Sequence, residues 1–153
     1  MMKESSIKDT KIEIRRVAIN HLSRRDYTKH ELLVRLNQRF ESPEDVEEVV
    51  ENLSLEGLQS DGRFAESFIR YRIQKGFGPI RIRKELQERG VEEKLLSASL
   101  EVFELDWEKN ALEVLDKKFG KTICEDFQEI AKRARFMEHR GFSLEHCQKR
   151  LNL

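Results

Sequence analysis

Apolar positions along the chain recur at spacings of three and four residues, the mark of amphipathic helices. Val46, Val49, Val50 and Leu53 form one such stripe. It follows Ser42-Pro43-Glu44-Asp45, which supplies an N-cap, a first-turn proline and two first-turn acids, and it runs out by Gly57. Fifty residues on, after Gly90, the stripe returns as Leu95, Leu96, Leu100 and Phe103. Phe64, Phe68, Ile69 and Ile73 predict a long helix over 61–75, and a further helix spans 106–119, closed by Gly120. Thr122 and Glu125 have the spacing of a capping box and are expected to open a helix that reaches Arg140. With the helices of the repeats below, about nine helices are predicted and the fold class is all-α.

Three stretches share one local grammar. Residues 24–36 align with 74–86 at an offset of 50, and 139–151 follow 65 further on. Each carries a residue suited to the left-handed position after a helix (Asp26, Gly76, Gly141), then an aromatic (Tyr27, Phe77, Phe142), then an N-cap (Thr28, Gly78, Ser143). Pro79 opens the second copy's following helix, and Glu31 completes a capping box in the first. The aromatics are expected to staple onto Leu32, Ile82 and Cys147. Each copy therefore reads as helix, tight turn, helix. The chain as a whole reads as one repeat domain of three tandem three-helix modules, at about 11–56, 57–105 and 106–153, with residues 1–10 flexible. The modules are expected to form an elongated array, straight or curved, each burying part of its apolar face on its neighbour.

Composition fits a narrow, distributed core. Of 153 residues, 38% are hydrophobic and 38% charged, and two Pro and seven Gly leave few helix breakers. No apolar run approaches the length of a membrane span, and residues 1–16 lack the apolar block of a signal peptide, so a cytoplasmic protein without a membrane contact is expected. Cys124 and Cys147 are read as buried free thiols within helices rather than a disulfide framework. The 29 basic and 29 acidic side chains cancel, yet they are not mixed. The net charge is +5 over residues 1–40, −7 over 41–60, +4 over 61–90, −6 over 91–130 and +4 over 131–153. Blocks with this period match a repeated helical unit whose elements alternate in sign.

Catalytic chemistry is not legible. His21, His30, His139 and His146 lack metal-ligand spacing, and Gly76-Phe77-Gly78-Pro79 lacks the Lys-Ser/Thr of a phosphate loop and recurs as a connector. The carboxylates fall in first turns and on exposed faces. No enzyme, cofactor or metal is expected. The distinctive feature is instead a basic surface. Arg70, Arg72, Lys75, Arg81, Arg83, Lys84 and Arg89 fall within twenty residues, with Tyr71 and Phe77 among them. With Ile82 and Leu86 facing inward, Lys84 points outward and Arg81 and Arg83 flank it. Lys29 and Arg35, and Arg140, Lys149 and Arg150, recur around the other two copies. Such residues suit a track for phosphate or an acidic protein groove, or else they solubilise helices and pair with the acidic ones.

The residues Gly57-Leu58-Gln59-Ser60-Asp61-Gly62-Arg63-Phe64-Ala65, then Phe68-Ile69-Arg70-Tyr71-Arg72, then Gly76 to Val91 resemble the central signature of the RecX regulatory proteins. The likeness extends to Leu22–Leu32 and to Phe136–Phe142. The family pattern usually reads Gly-Tyr-Leu-Asp-Asp where this chain has Gly57-Leu58-Gln59-Ser60-Asp61, so one acid and one apolar position are replaced. The resemblance implies a monomeric negative modulator of the RecA recombinase that lies in the groove of the RecA filament on DNA. Such a protein damps RecA's ATPase, co-protease and strand-exchange activities, and weak direct DNA contact is compatible with it. The alternative, from the helix–turn–helix form of each copy, is a direct DNA binder. Against that alternative, no helix carries a dense outward set of Arg, Asn and Gln for reading bases.

Overall fold

The computed structural model describes residues 2–153, with side chains from Asp9 onward. Among these residues it holds nine α-helices and no strand. They are α1 (Met2–Arg24), α2 (Lys29–Arg39), α3 (Pro43–Leu55), α4 (Asp61–Gln74), α5 (Pro79–Glu88), α6 (Glu93–Glu101), α7 (Trp107–Phe119), α8 (Phe127–Arg140) and α9 (Leu144–Leu151). One 3₁₀ turn, Glu104–Asp106, precedes α7. The expected flexibility of residues 1–10 falls partly on Met1 and on the side chains of residues 2–8, which lie outside the described residues; the backbone is helical from Met2.

The chain divides into two compact units, residues 1–65 with 89–91, and residues 66–88 with 92–153. In the first, α3 packs against both α1 and α2. Its stripe of Val46, Val49, Val50 and Leu53 meets Ile14, Val17 and Ala18 of α1 and Leu32 and Leu36 of α2, with Tyr27 beside them. Each such aliphatic side chain contributes roughly 1.5–3 kcal/mol by leaving water. Thr28 caps α2 as expected: Glu31 N donates to Thr28 Oγ1 at 3.0 Å, and Thr28 N donates back to Glu31 Oε1 at 3.1 Å. Ser42 precedes Pro43 at the start of α3, but its hydroxyl donates to Asp45 Oδ2 at 2.8 Å rather than accepting from the helix amides.

In the second unit, α9 packs against both α7 and α8, and α6 packs on α5. Ile82 and Leu86 of α5 are fully buried, as are Leu96, Ala111, Met137 and Cys147. Here the third helix of the last group is its hub, as α3 is of the first. The third copy of the turn nevertheless joins α8 to α9, whereas the first two copies join α1 to α2 and α4 to α5. The offset of 65 thus places the last turn one helix later in the order than an offset of 50 would.

Three local expectations are corrected. Asp26 does not take the left-handed conformation, which among the described non-glycine residues is found only at Asn152. α1 simply stops at Arg24, since an L-residue there would pay strain that glycine avoids. Thr122 and Glu125 do not cap α8. That helix starts at Phe127 behind Asp126, whose carboxylate accepts from Gln128 N at 3.2 Å, and the β-branched Thr122 and Ile123 lie in the coil before it. Cys124 lies in the same coil and is only half-buried.

The two thiols should behave differently. Cys147 is fully enclosed, and burial pushes its thiol up to about 11. A free thiol in the unfolded chain ionises at about 8.5. The folded state's advantage from keeping Cys147 neutral is therefore intact below that value and is lost as the pH rises through about 11. With Ellman's reagent at pH 8, Cys124 should react promptly and Cys147 only after denaturant is added.

Candidate functional site

The site is built on the turn between α4 and α5. Gly76 follows α4 at φ +86°, and Phe77 N then reaches back to Arg72 O at 3.0 Å, closing the helix with a six-residue loop. The turn between α8 and α9 repeats this, with Gly141 at φ +96° and Phe142 N donating to Met137 O at 3.0 Å. The two turns are mated through the main chain. Gly78 N donates to Arg140 O at 2.8 Å, and Ile80 N donates to Gly141 O at 3.0 Å. Pro79 has no N–H, so these two amides are donors left over at the start of α5, and the neighbouring turn accepts from both. The approach is too close for a side chain: a Cβ on Gly78 would lie 2.5 Å from Gly141 O, and one on Gly141 would lie 2.4 Å from Arg81 Cβ.

Phe77 stands at this joint with three guanidinium groups around its ring. The carbons of Arg72, Arg81 and Arg140 lie 3.8, 4.3 and 4.8 Å from its centroid. The ring's negative faces attract each cation, at about 0.5–2 kcal/mol apiece depending on exposure. Glu85 is the counter-ion: its Oε1 is 2.8 Å from Arg72 Nη2 and 3.4 Å from Arg81 Nε. Arg72 Nε is buried and has no hydrogen-bond partner among the described residues. Arg81 Nη1 donates to His139 O at 3.3 Å, and Arg140 Nη1 donates to Lys75 O at 3.1 Å. Three positive charges against one carboxylate leave this joint positive.

From that anchor α5 presents its outer face. Lys84 is exposed and has no ion-pair partner among the described residues, and Arg81 and Arg83 flank it half-buried. Arg83 pairs with Glu93 of α6 and donates to Ser97 Oγ at 3.2 Å. Hydrogen bonds from Gln87 and Ser97, with Arg83 nearby, hold the Glu93 carboxyl below the usual carboxylate range. Arg70 pairs with Glu66 at 3.0 Å and lies over Phe103. Lys75 is exposed with its ammonium 5.5 Å from the Tyr71 ring.

The remaining expected residues are dispersed. Lys149 pairs with Glu108 at 3.4 Å, and Arg150 is held by Asp116 at 3.0 Å and by Lys121 O at 3.0 Å. Lys29, Arg35 and Arg89 belong to the first unit. There Lys29 pairs with Glu51, and its amide donates to Asp61 Oδ1 at 2.8 Å. Arg89 pairs with Glu31 at 3.1 Å, and its carbonyl accepts from Thr28 Oγ1 at 2.7 Å. Arg35 is exposed without an ion pair among the described residues. Glu85 was not singled out from sequence, although its four-residue spacing from Arg81 is a visible signal. Gln59, standing where the family pattern has leucine, is fully buried and donates to Tyr27 O at 3.2 Å and to Asp61 Oδ1 at 2.9 Å.

Among the described residues no group of three His, Cys, Asp or Glu side chains is placed to hold a metal ion, and no helix is long and apolar enough to cross a membrane. Two family models match in tandem: RecX, second three-helix domain, over residues 60–100, and RecX, third three-helix domain, over residues 106–151. The chain belongs to the RecX family. It is 36% identical over 148 residues to a regulatory protein RecX of Pseudomonas fluorescens, covering 97% of this chain and 96% of the relative. It is 40% identical over 141 residues to that of Pseudomonas entomophila, covering 92% and 91%. The fold is similar to the crystal structure of RecX from Lactobacillus salivarius, with a TM-score of 0.78 at 19% identity over 95% of this chain and 96% of that one. The RecX signature Gly76 to Val91 thus holds the mated turn, the Phe77 joint and the exposed face of α5.

If the backbone joint organises this face, a single methyl group should loosen it. Gly78→Ala is expected to cost about 2 kcal/mol through overpacking and stretched main-chain bonds. For a chain of this size that lowers the melting temperature by about 4–8 °C in a circular dichroism melt. Gly120→Ser at an open turn, whose Cβ would meet only Thr122 Oγ1 at 3.9 Å, serves to separate close approach from backbone strain.

Proposed function

We propose that this RecX-family protein is a negative modulator of the RecA recombinase. In this reading it is a cytoplasmic monomer that binds the RecA filament on DNA and lowers its ATPase, co-protease and strand-exchange activities. The observation that carries the reading is the outer face of α5. Its cations are either locked in place around Phe77 and Glu93 or, at Lys84, left uncommitted. A preorganised positive face spends little side-chain entropy on docking and steers the approach to an acidic surface. The three-module organisation, at about 11–56, 57–105 and 106–153, gives such a chain three related turns with which to meet successive elements of a repeating partner. Direct contact with DNA is secondary in this reading: most of the arginines in the second unit are occupied by carboxylates or rings, which leaves few to neutralise phosphates.

The ion pairs decide which variant tests this. Reversing Arg81, Arg83 and Lys84 together would break the contacts to Glu85 and Glu93 as well as the outer face. Lys84→Glu breaks no ion pair among the described residues, and it should weaken inhibition of a DNA-stimulated RecA ATPase about five- to tenfold at unchanged melting temperature. Undiminished inhibition by both Lys84→Glu and Arg81→Ala/Lys84→Glu would overturn the assignment of this face. Fluorescence anisotropy with labelled DNA across a salt series should show much tighter association once RecA filaments are present. Tight, steeply salt-dependent binding to naked DNA would favour the direct DNA binder instead.

A further inference from the structure

Within the second unit, a cleft of about 430 Å³ lies between the last turn of α4, the outer face of α7 and the end of α8. The Lys84 face of α5 does not line it. Its floor is apolar, made by Ile73, Val114 and Phe136. Its rim carries Lys75, Lys117, Lys118 and Arg140 against a single carboxylate, Glu113. Elsewhere in this unit the arginines other than Arg135 sit on carboxylates. Here Lys75, Lys117 and Lys118 have no carboxylate partner among the described residues; Lys75 and Lys118 lie only near the rings of Tyr71 and Phe136, each at 5.5 Å. Arg140 is fixed in the wall by Lys75 O and by the rings of Phe77 and Phe136. Two amides on the walls, Gln74 and Asn110, and the Glu113 carboxylate make no side-chain hydrogen bond among the described residues.

We propose that this cleft binds a free nucleoside polyphosphate. The volume suits a ligand of mononucleotide size rather than a long chain. Three unpaired ammonium groups, with Arg140 beside them, supply the charge for two or three phosphates. The apolar floor takes the flat base, and the amides of Gln74 and Asn110 are free to meet its edge. Glu113, which repels a phosphate, is an acceptor for the ribose hydroxyls. A track for a nucleic-acid backbone would have no use for a carboxylate in that place. Lys117 and Lys118 also complement the C-terminal dipole of α7, but that role needs no cavity beside them.

Titrating the protein, without RecA or DNA, with the fluorescent 2-aminopurine riboside triphosphate, whose ribose hydroxyls are free, tests this apart from any effect on a filament. Saturable binding below about 1 mM is expected, displaced by unlabelled ATP and weakened at least about tenfold in Lys117→Glu/Lys118→Glu, with a circular dichroism melt showing that this variant, which loses its dipole contacts, is still folded at the assay temperature. Lys84→Glu should bind as the parent does. Glu113→Gln should narrow the preference for ATP over inorganic tripolyphosphate. Absence of saturable binding, or binding indifferent to the lysine reversals, would overturn the site. Tripolyphosphate binding as tightly as ATP to the parent would overturn the nucleoside part, and displacement by an oligonucleotide at lower phosphate concentration than by ATP would assign the cleft to a nucleic-acid backbone instead.

Discussion

The interaction on which the second unit's basic face rests is a main-chain contact without side chains: the turn after α4 laid on the turn after α8, glycine against glycine. Two amides that the start of α5 leaves unsatisfied find their acceptors in the other turn, at 2.8 and 3.0 Å. Everything charged nearby is arranged over that contact. Phe77 stands next to Gly78, and the three guanidinium groups gather on its ring because the backbone under it is fixed. Without the close approach, Arg140 and Arg81 would belong to separate helices with no shared partner.

Much of the architecture was legible in the chain because amphipathic spacing and helix stops are local signals. The stripe of Val46, Val49, Val50 and Leu53 is buried as read, and Gly120 closes α7. Gly76 and Gly141 take the left-handed conformation that their place in the repeat demands. The errors arose where two local signals compete. Thr122 and Glu125 have capping-box spacing, but Asp126 is an equally good cap and the β-branched Thr122 and Ile123 ahead of it favour coil. Asp26 aligns with two glycines, yet a residue with a Cβ gains nothing from following them into strained backbone.

The site was legible in part. Helical geometry alone places Lys84 outward and its two arginine neighbours at the flanks, and the structure has them so. What spacing could not reveal is pairing at a distance. Arg140 reaches Phe77 across 63 residues, and Arg150 spends its charge on Asp116. Counting cations along a sequence therefore overstates the free ones. Among the described residues of a chain with zero net charge, most lysines are left without an ion pair, while most arginines are engaged within the protein.

The mated turns also bear on how the molecule is made. The segments that satisfy each other's backbone groups lie about 60 residues apart, and the second, between α8 and α9, is synthesised well after α5. While α4 and α5 emerge from a ribosome, Gly78 and Ile80 have only water to donate to, and the ring of Phe77 has yet to receive Arg140. The first unit needs the chain only as far as Val91, so it can close while the rest is still being translated. The second must wait until α8 and α9 have been made, and a chain ended before them would carry the RecX signature of α4 and α5 without the turn that holds it in place.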